Sequence, residues 1–142
     1  MENTLDATES QIQKMFEINY LSTFSLIKAT LPHVKKHKGS YVIVSTHGAY
    51  EIVKQAGHYT NTKLMLNALT KQLAVILMND EIRVNCVCPG LIKTAFSKYI
   101  WNDEKIRERE EKMMGIKRFG EPEEIANAVK FLLSDDASYV NG

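Results

Sequence analysis

The 142-residue sequence holds a pair of side chains whose types and spacing suit proton transfer: Tyr59 and Lys63, four positions apart. On a helix that spacing sets a phenol and an ammonium on one face, a turn apart. A free tyrosine titrates at about pH 10, too high for ready exchange at neutral pH, and a neighbouring cation favours the phenolate and lowers that value. Taken alone the pair is a weak signal. An ordinary amphipathic helix start accounts for it equally well, and Tyr50 with Lys54 repeats the spacing. Position separates the two matches: Tyr50 lies between Gly48 and Gly57, where no helix is expected to align it with Lys54, whereas Tyr59 opens a long run of helical periodicity.

Other groups gather around the pair. Thr46 follows the C-terminal end of a short β-branched run, the edge at which open parallel sheets bind ligands, and its hydroxyl can hydrogen-bond a substrate oxygen. Pro89, Gly90 and Thr94 follow the same end of a second run. Asn19 falls on the apolar stripe of the first helix, where an amide needs partners inside the fold; a neighbouring main chain serves that need as well as a site does. His47 and His58 flank the centre and read as loop-surface histidines. Cys86 and Cys88 point the same way on a strand but sit too far apart for easy bridging, and they lack the spaced partners of a four-ligand metal site. Packing is their expected role, and no metal is expected.

The elements that position these residues follow from periodicity and punctuation. Thr8 with Gln11 forms a capping-box pattern, predicting a helix to about Leu31 that Pro32 ends, followed by the basic His33, Lys35, Lys36, His37 and Lys38. Ser40 to Ser45 reads as a buried strand. After a loop from Thr46 to about Gly57, the residues Leu66, Leu69, Leu73, Ile76 and Leu77 mark a second helix. Ile82 to Cys88 is the next strand, stopped by Pro89 and Gly90. A polar stretch follows with Asn102 as a candidate cap, then the charge-rich Asp103 to Lys112 as a wet helix face. Glu121 to Glu124 opens a last helix reaching about Ser134. Helices alternating with strands imply an α/β fold whose parallel strands are covered on both faces. Two strands are too narrow for that, and the sequence stops at Asn141 and Gly142 where such a unit returns to another strand. Residues 1–142 are therefore expected to form a single incomplete domain.

Asn19, the strand end Val44-Ser45-Thr46, Tyr59 with Lys63, the run from Asn85 through Pro89 and Gly90 to Thr94, and the run from Arg118 through Gly120 and Pro122 together resemble the short-chain dehydrogenase/reductase family, in its order and at its spacing. The run from Pro89 to Ser97, with Asp135 to Tyr139, is similar to its branch of NADP-dependent carbonyl and retinal reductases. The resemblance implies a partial Rossmann-type, doubly wound parallel sheet with its first strands missing. It implies an oxidoreductase that interconverts ketones, aldehydes or retinal with alcohols by hydride transfer, using NADP or NAD. Tyr59 would be the general acid or base, and Lys63 would lower its pKa and hold the nicotinamide ribose. Thr46 would stand at the family's usual serine, with Ser45 as the fallback. Asn19 would bind a water that links Lys63 to solvent. Pro89, Gly90, Ile92 and Thr94 would line the nicotinamide, and residues 95–120 would form the substrate-binding segment. No glycine precedes Gly39, so the family's Gly-rich phosphate turn is unmatched and the chain reads as the catalytic half, weakly active or inactive by itself.

Composition narrows the partners. Lys+Arg 18 against Asp+Glu 17 gives +1, which offers no support for nucleic acid or an anionic membrane. No apolar run approaches a membrane span, Met1 to Ser10 shows no signal segment, and two cysteines make no disulfide framework. An intracellular protein is expected, cytoplasmic or peroxisomal, with a small-molecule substrate and a homo-oligomeric intact form, a dimer or tetramer. The alternative is a non-catalytic fragment that associates with full-length reductase subunits, motivated by Ile18, Leu21 and Phe24 lying beyond the main stripe of the first helix. A sugar-nucleotide epimerase shares the Tyr59 and Lys63 pattern but not the motifs at Pro89 to Thr94 and Arg118 to Glu124.

Overall fold

The capping box holds: the Thr8 hydroxyl accepts from the Gln11 backbone at 3.3 Å while the Gln11 side chain accepts from the Thr8 backbone at 2.7 Å. It starts α1 (Glu9–Phe16), which passes through a π-helical turn, Glu17–Leu21, into α2 (Ser22–Lys36) in a computed structural model that describes residues 4–51 and 56–142. Pro32 does not end this helix as expected. The ring removes only one backbone donor. Leu31 and Val34 pack on the core and hold the last turn, and the stop falls at Lys38, in the left-handed region at φ 49, with the Gly39 N–H returning to the Val34 carbonyl at 3.0 Å.

The strands β1 (Ser40–Val44) and β2 (Arg83–Val87) pair in parallel with Ser40 beside Arg83 and Val44 beside Val87. Parallel strands need a crossover, and α3 (Gly57–Ile76) supplies it. Its inner face packs Leu66, Leu69 and Ala74 against Ile43 and Val84 of the sheet and Ile27 of α2. On the other sheet face Arg83 donates to the carbonyls of Leu132 and Ser134 at 2.8 and 2.9 Å, so α6 (Pro122–Leu133) covers that side. Glu121 and Glu124 form the capping box that opens it. Between β2 and α6 lie two helices, α4 (Lys98–Trp101) and α5 (Glu104–Met113). The cap of α5 is Asp103, whose carboxylate accepts from the Ile106 N–H at 3.0 Å; the expected cap, Asn102, closes α4 instead. Val140 to Gly142 runs beside β2: Gly142 N–H donates to the Val84 carbonyl at 3.0 Å and Asn85 Nδ2 to the Val140 carbonyl at 2.8 Å. Among the described residues no helix is long and apolar enough to cross a membrane.

Candidate active site

The C-terminal ends of β1 and β2 lie side by side, and the first turns of α3 cross them. Two reciprocal bonds fix this junction. Ser45 Oγ donates to the Lys63 carbonyl at 2.9 Å, and Lys63 Nζ donates to the Val44 carbonyl at 3.0 Å. Ser45 is buried and committed to this staple, which leaves Thr46, the next residue, as the hydroxyl at the edge.

Thr46 Oγ1 accepts from the Gly48 N–H at 3.3 Å and lies within hydrogen-bonding reach of the Tyr59 phenol, where it favours the ionised form. Burial outweighs it and holds the Tyr59 pKa above the ordinary 10.0. The expectation that Lys63 depresses this pKa does not describe the arrangement: Lys63 Nζ lies 6.0 Å from the ring centroid and spends a donor on Val44. Burial pushes the Lys63 pKa below its ordinary 10.5, and the neighbouring Cys86 partly opposes that shift. Both groups are thus biased toward neutral forms.

Asn19 stands in the π-helical turn and donates its Nδ2 to Thr62 Oγ1 at 3.0 Å, while Thr62 donates to the Tyr59 carbonyl at 2.8 Å. The amide therefore braces the turn of α3 that carries Tyr59 and Lys63. Pro89 joins the site through its carbonyl, which accepts from the His47 N–H at 2.8 Å, and the space around Gly90 is open, since a Cβ there meets nothing within 4 Å. Ile92 pairs with Gly120 in a parallel bridge close enough that a Cβ on Gly120 would meet Ile92 Cδ1 at 2.5 Å. Thr94 shares a hydrogen bond with the Ser97 hydroxyl at 3.2 Å, and its carbonyl accepts from Trp101 Nε1 at 2.9 Å.

The structure thus brings Thr46, Tyr59 and Lys63 together, with Asn19 behind them and Pro89 beside them. Phe96 and Tyr99 join this set without having been foreseen. The Phe96 ring lies 5.7 Å from that of Tyr59, and Tyr99 is near enough to raise the Tyr59 pKa slightly. No local signal in the sequence announces either contact. His47, exposed, pairs with Glu51 at 3.3 Å as a loop-surface histidine, whereas His58 lies half-buried in the first turn of α3 and bonds the Thr4 carbonyl at 2.7 Å, so the loop-surface reading does not hold for it. Lys54, of the rival pair, lies outside the described residues. No group of three or more His, Cys, Asp or Glu that could hold a metal occurs among the described residues.

Parallel strands joined by the crossover helix that carries Tyr59 and Lys63 define an α/β class of fold, and the chain belongs to the short-chain dehydrogenase/reductase family: a family model described as Enoyl-(Acyl carrier protein) reductase matches residues 1–142. The chain is 44% identical over 141 residues to dehydrogenase/reductase SDR family member 4 of Sus scrofa, covering 99% of itself and 50% of that protein. Against the protein of that name from Homo sapiens it is 42% identical over 139 residues, covering 97% and 50%. It superposes with a TM-score of 0.90 on a short-chain type dehydrogenase/reductase from Mycobacterium ulcerans, at 28% identity, over 94% of this chain and 49% of that one. A 4-hydroxyisoleucine dehydrogenase complexed with NADH shares the fold at a TM-score of 0.92 and 22% identity, over 98% and 58%. The chain spans about half the length of the curated relatives it matches. The partial Rossmann-type fold expected from the sequence is the one found.

Proposed function

We propose that this chain carries the proton-transfer centre of an NADP- or NAD-dependent oxidoreductase that interconverts ketones or aldehydes with alcohols. The observation that carries the reading is the Tyr59 phenol within reach of the Thr46 hydroxyl at the ligand edge of two parallel strands, with Lys63 one turn behind. The relationship to proteins named dehydrogenase/reductase supports the reaction class.

The donor set suits a nicotinamide nucleotide. Lys63 has three ammonium donors and gives one to Val44, which leaves two for a ribose diol, and the open space at Gly90 admits a ring beside Pro89. Ile92 and Thr94 would extend that lining. The nicotinamide, when bound, supplies hydride to the substrate carbon or takes it away. Tyr59 donates its phenolic proton to the carbonyl oxygen in reduction and takes the hydroxyl proton in the alcohol direction. Thr46 holds that oxygen against Tyr59. Burial keeps Tyr59 protonated through neutral pH, the state reduction needs, so the rate of alcohol oxidation should climb with pH toward and beyond the ordinary value of 10.0. Residues 95–120, which place Phe96 on Tyr59, would form the substrate wall. Replacing Tyr59 by Phe keeps the ring and removes the proton. In the intact protein carbonyl reduction should fall by about 10²–10⁴-fold with the thermal midpoint unchanged, and turnover equal to the parent's would refute the reading.

A separate observation favours association. Ile18, Leu21 and Phe24 are exposed on the π-helical turn and α2, an apolar face that suits pairing with another subunit of the family, catalytic or not. Light scattering after size exclusion tests it, since a well-behaved monomer argues against association.

A further inference from the structure

The proton-transfer centre employs neither Cys86 nor Cys88. Both thiols are free and half-buried at the end of β2, with their Sγ atoms 4.0 Å apart. Asn67 of α3 turns its amide oxygen on both, 3.6 Å from Cys86 Sγ and 3.7 Å from Cys88 Sγ. That residue is 6% exposed, and its Nδ2 is buried without a hydrogen-bond partner. A buried amide with half its bonding unmet is unfavourable where a leucine would pack freely, so packing does not explain Asn67. The feature it retains is an oxygen aimed at two sulfurs. The Tyr50 phenol, on an exposed side chain, lies beside Cys88 and marks the outer side of the cluster.

The three donor atoms form a triangle with sides of 4.0, 3.6 and 3.7 Å. A tetrahedral zinc ion, with bonds of about 2.3 Å to sulfur and about 2.1 Å to oxygen, spaces two sulfurs by about 3.8 Å and a sulfur and an oxygen by about 3.6 Å. One face of such a site is therefore already in place. A disulfide fits less well: it needs sulfurs at about 2.05 Å, and alternate residues of an extended strand stand about 6.6 Å apart at Cα, near the upper limit of about 6.8 Å for a bridge.

We propose that Cys86, Cys88 and Asn67 bind one soft divalent cation of the zinc class through two thiolates and an amide oxygen, with the fourth position open beside Tyr50. Binding expels the two thiol protons and leaves a neutral bis-thiolate, with no change of oxidation state. Two thiolates are fewer than closed structural sites employ, so the ion is exchangeable. Its capture would pin the last residues of β2 to α3, one residue before the Pro89 turn.

The reduced 142-residue chain, freed of metal with a chelator, is titrated with Cd²⁺ while the ultraviolet absorption of cadmium thiolate is followed, with Zn²⁺ as competitor. A single saturable equivalent that Zn²⁺ displaces, with release of two protons, is expected. Cys88→Ser should weaken binding strongly, and Asn67→Leu, which keeps both thiols and removes the buried orphan, should weaken it by about tenfold. Absence of saturable absorption, or affinity unchanged in either variant, overturns the site. Should Cys88→Ser fail to fold, the Asn67→Leu titration and the proton count still decide.

Discussion

Within a few residues of the end of β2 the chain changes its physics. The sheet and α3 bury Ile82, Val84, Leu66, Leu69 and Thr70, while α4 and α5 bury no residue of their own and the charge-rich α5 is wet on most sides. The excursion that carries them is tied at its base, by the Ile92–Gly120 bridge, the Lys93–Glu121 ion pair at 2.6 Å and the Arg118–Glu124 pair at 2.7 Å. Every group of the proposed proton transfer sits on the packed side, and the aromatic rings that meet Tyr59 come from the wet side. On the proposed reading, proton geometry and substrate fit would be held by regions of different burial, so that one could change without the other.

If that contrast is real, the same kind of truncation should have opposite weights on the two sides. Leu66 is 1% exposed in the centre of the core, and Leu66→Ala should lower the unfolding free energy by about 2–5 kcal/mol in urea denaturation. Removing the α5 cap with Asp103→Ala should remove about 1 kcal/mol from that helix and speed hydrogen exchange of its amides, leaving those of β2 unmoved. Acceleration in β2 as well would mean that the segment and core unfold as one unit. Phe96 is 68% exposed, so Phe96→Ala should change stability by no more than about 0.5 kcal/mol while raising KM for substrate. A loss of stability comparable to that of Leu66→Ala would break the contrast.

What the sequence disclosed follows the same division. The Leu66 and Leu69 periodicity, the Thr8 and Gln11 capping box and the Glu121 to Glu124 opening are local signals, and they located α3, α1 and α6. Pro32 misled because its single lost bond is outweighed by Leu31 and Val34 packing on residues distant in sequence. The π-helical turn at Asn19 was hidden for a different reason: a single added residue per turn barely disturbs a helical stripe. At the site, residue types and edge position pointed to Thr46, Tyr59 and Lys63, which the structure brings together. Spacing could not tell that Ser45 would be spent on the Lys63 carbonyl, that Lys63 would turn to Val44, or that Phe96 would come back onto Tyr59. Each of those contacts joins separate elements, and one sequence carries no record of such pairings.

The smallest effect belongs to the tie itself. Arg118 holds the Glu124 carboxylate at about 2, against an ordinary 4.5, helped by the Glu121 N–H that Glu124 accepts at 2.8 Å. A carboxylate depressed on folding contributes stability above its ordinary value, and the contribution is lost as pH falls through about 2. Both side chains are about half exposed, so solvent and salt screen the pair. Glu124→Gln should lower stability slightly at neutral pH, leave it unchanged below about pH 2, and so flatten the acid limb of the stability curve. At roughly 1 M salt, where the Debye length is about 3 Å, parent and variant should converge. The local readout is sharper than the global one: exchange of the Lys93 and Gly120 amides, which close the base of the excursion through bonds of 2.9 Å, should quicken in the variant at low salt. Unchanged exchange there would assign the closure to the Ile92–Gly120 bridge and the Lys93–Glu121 pair alone.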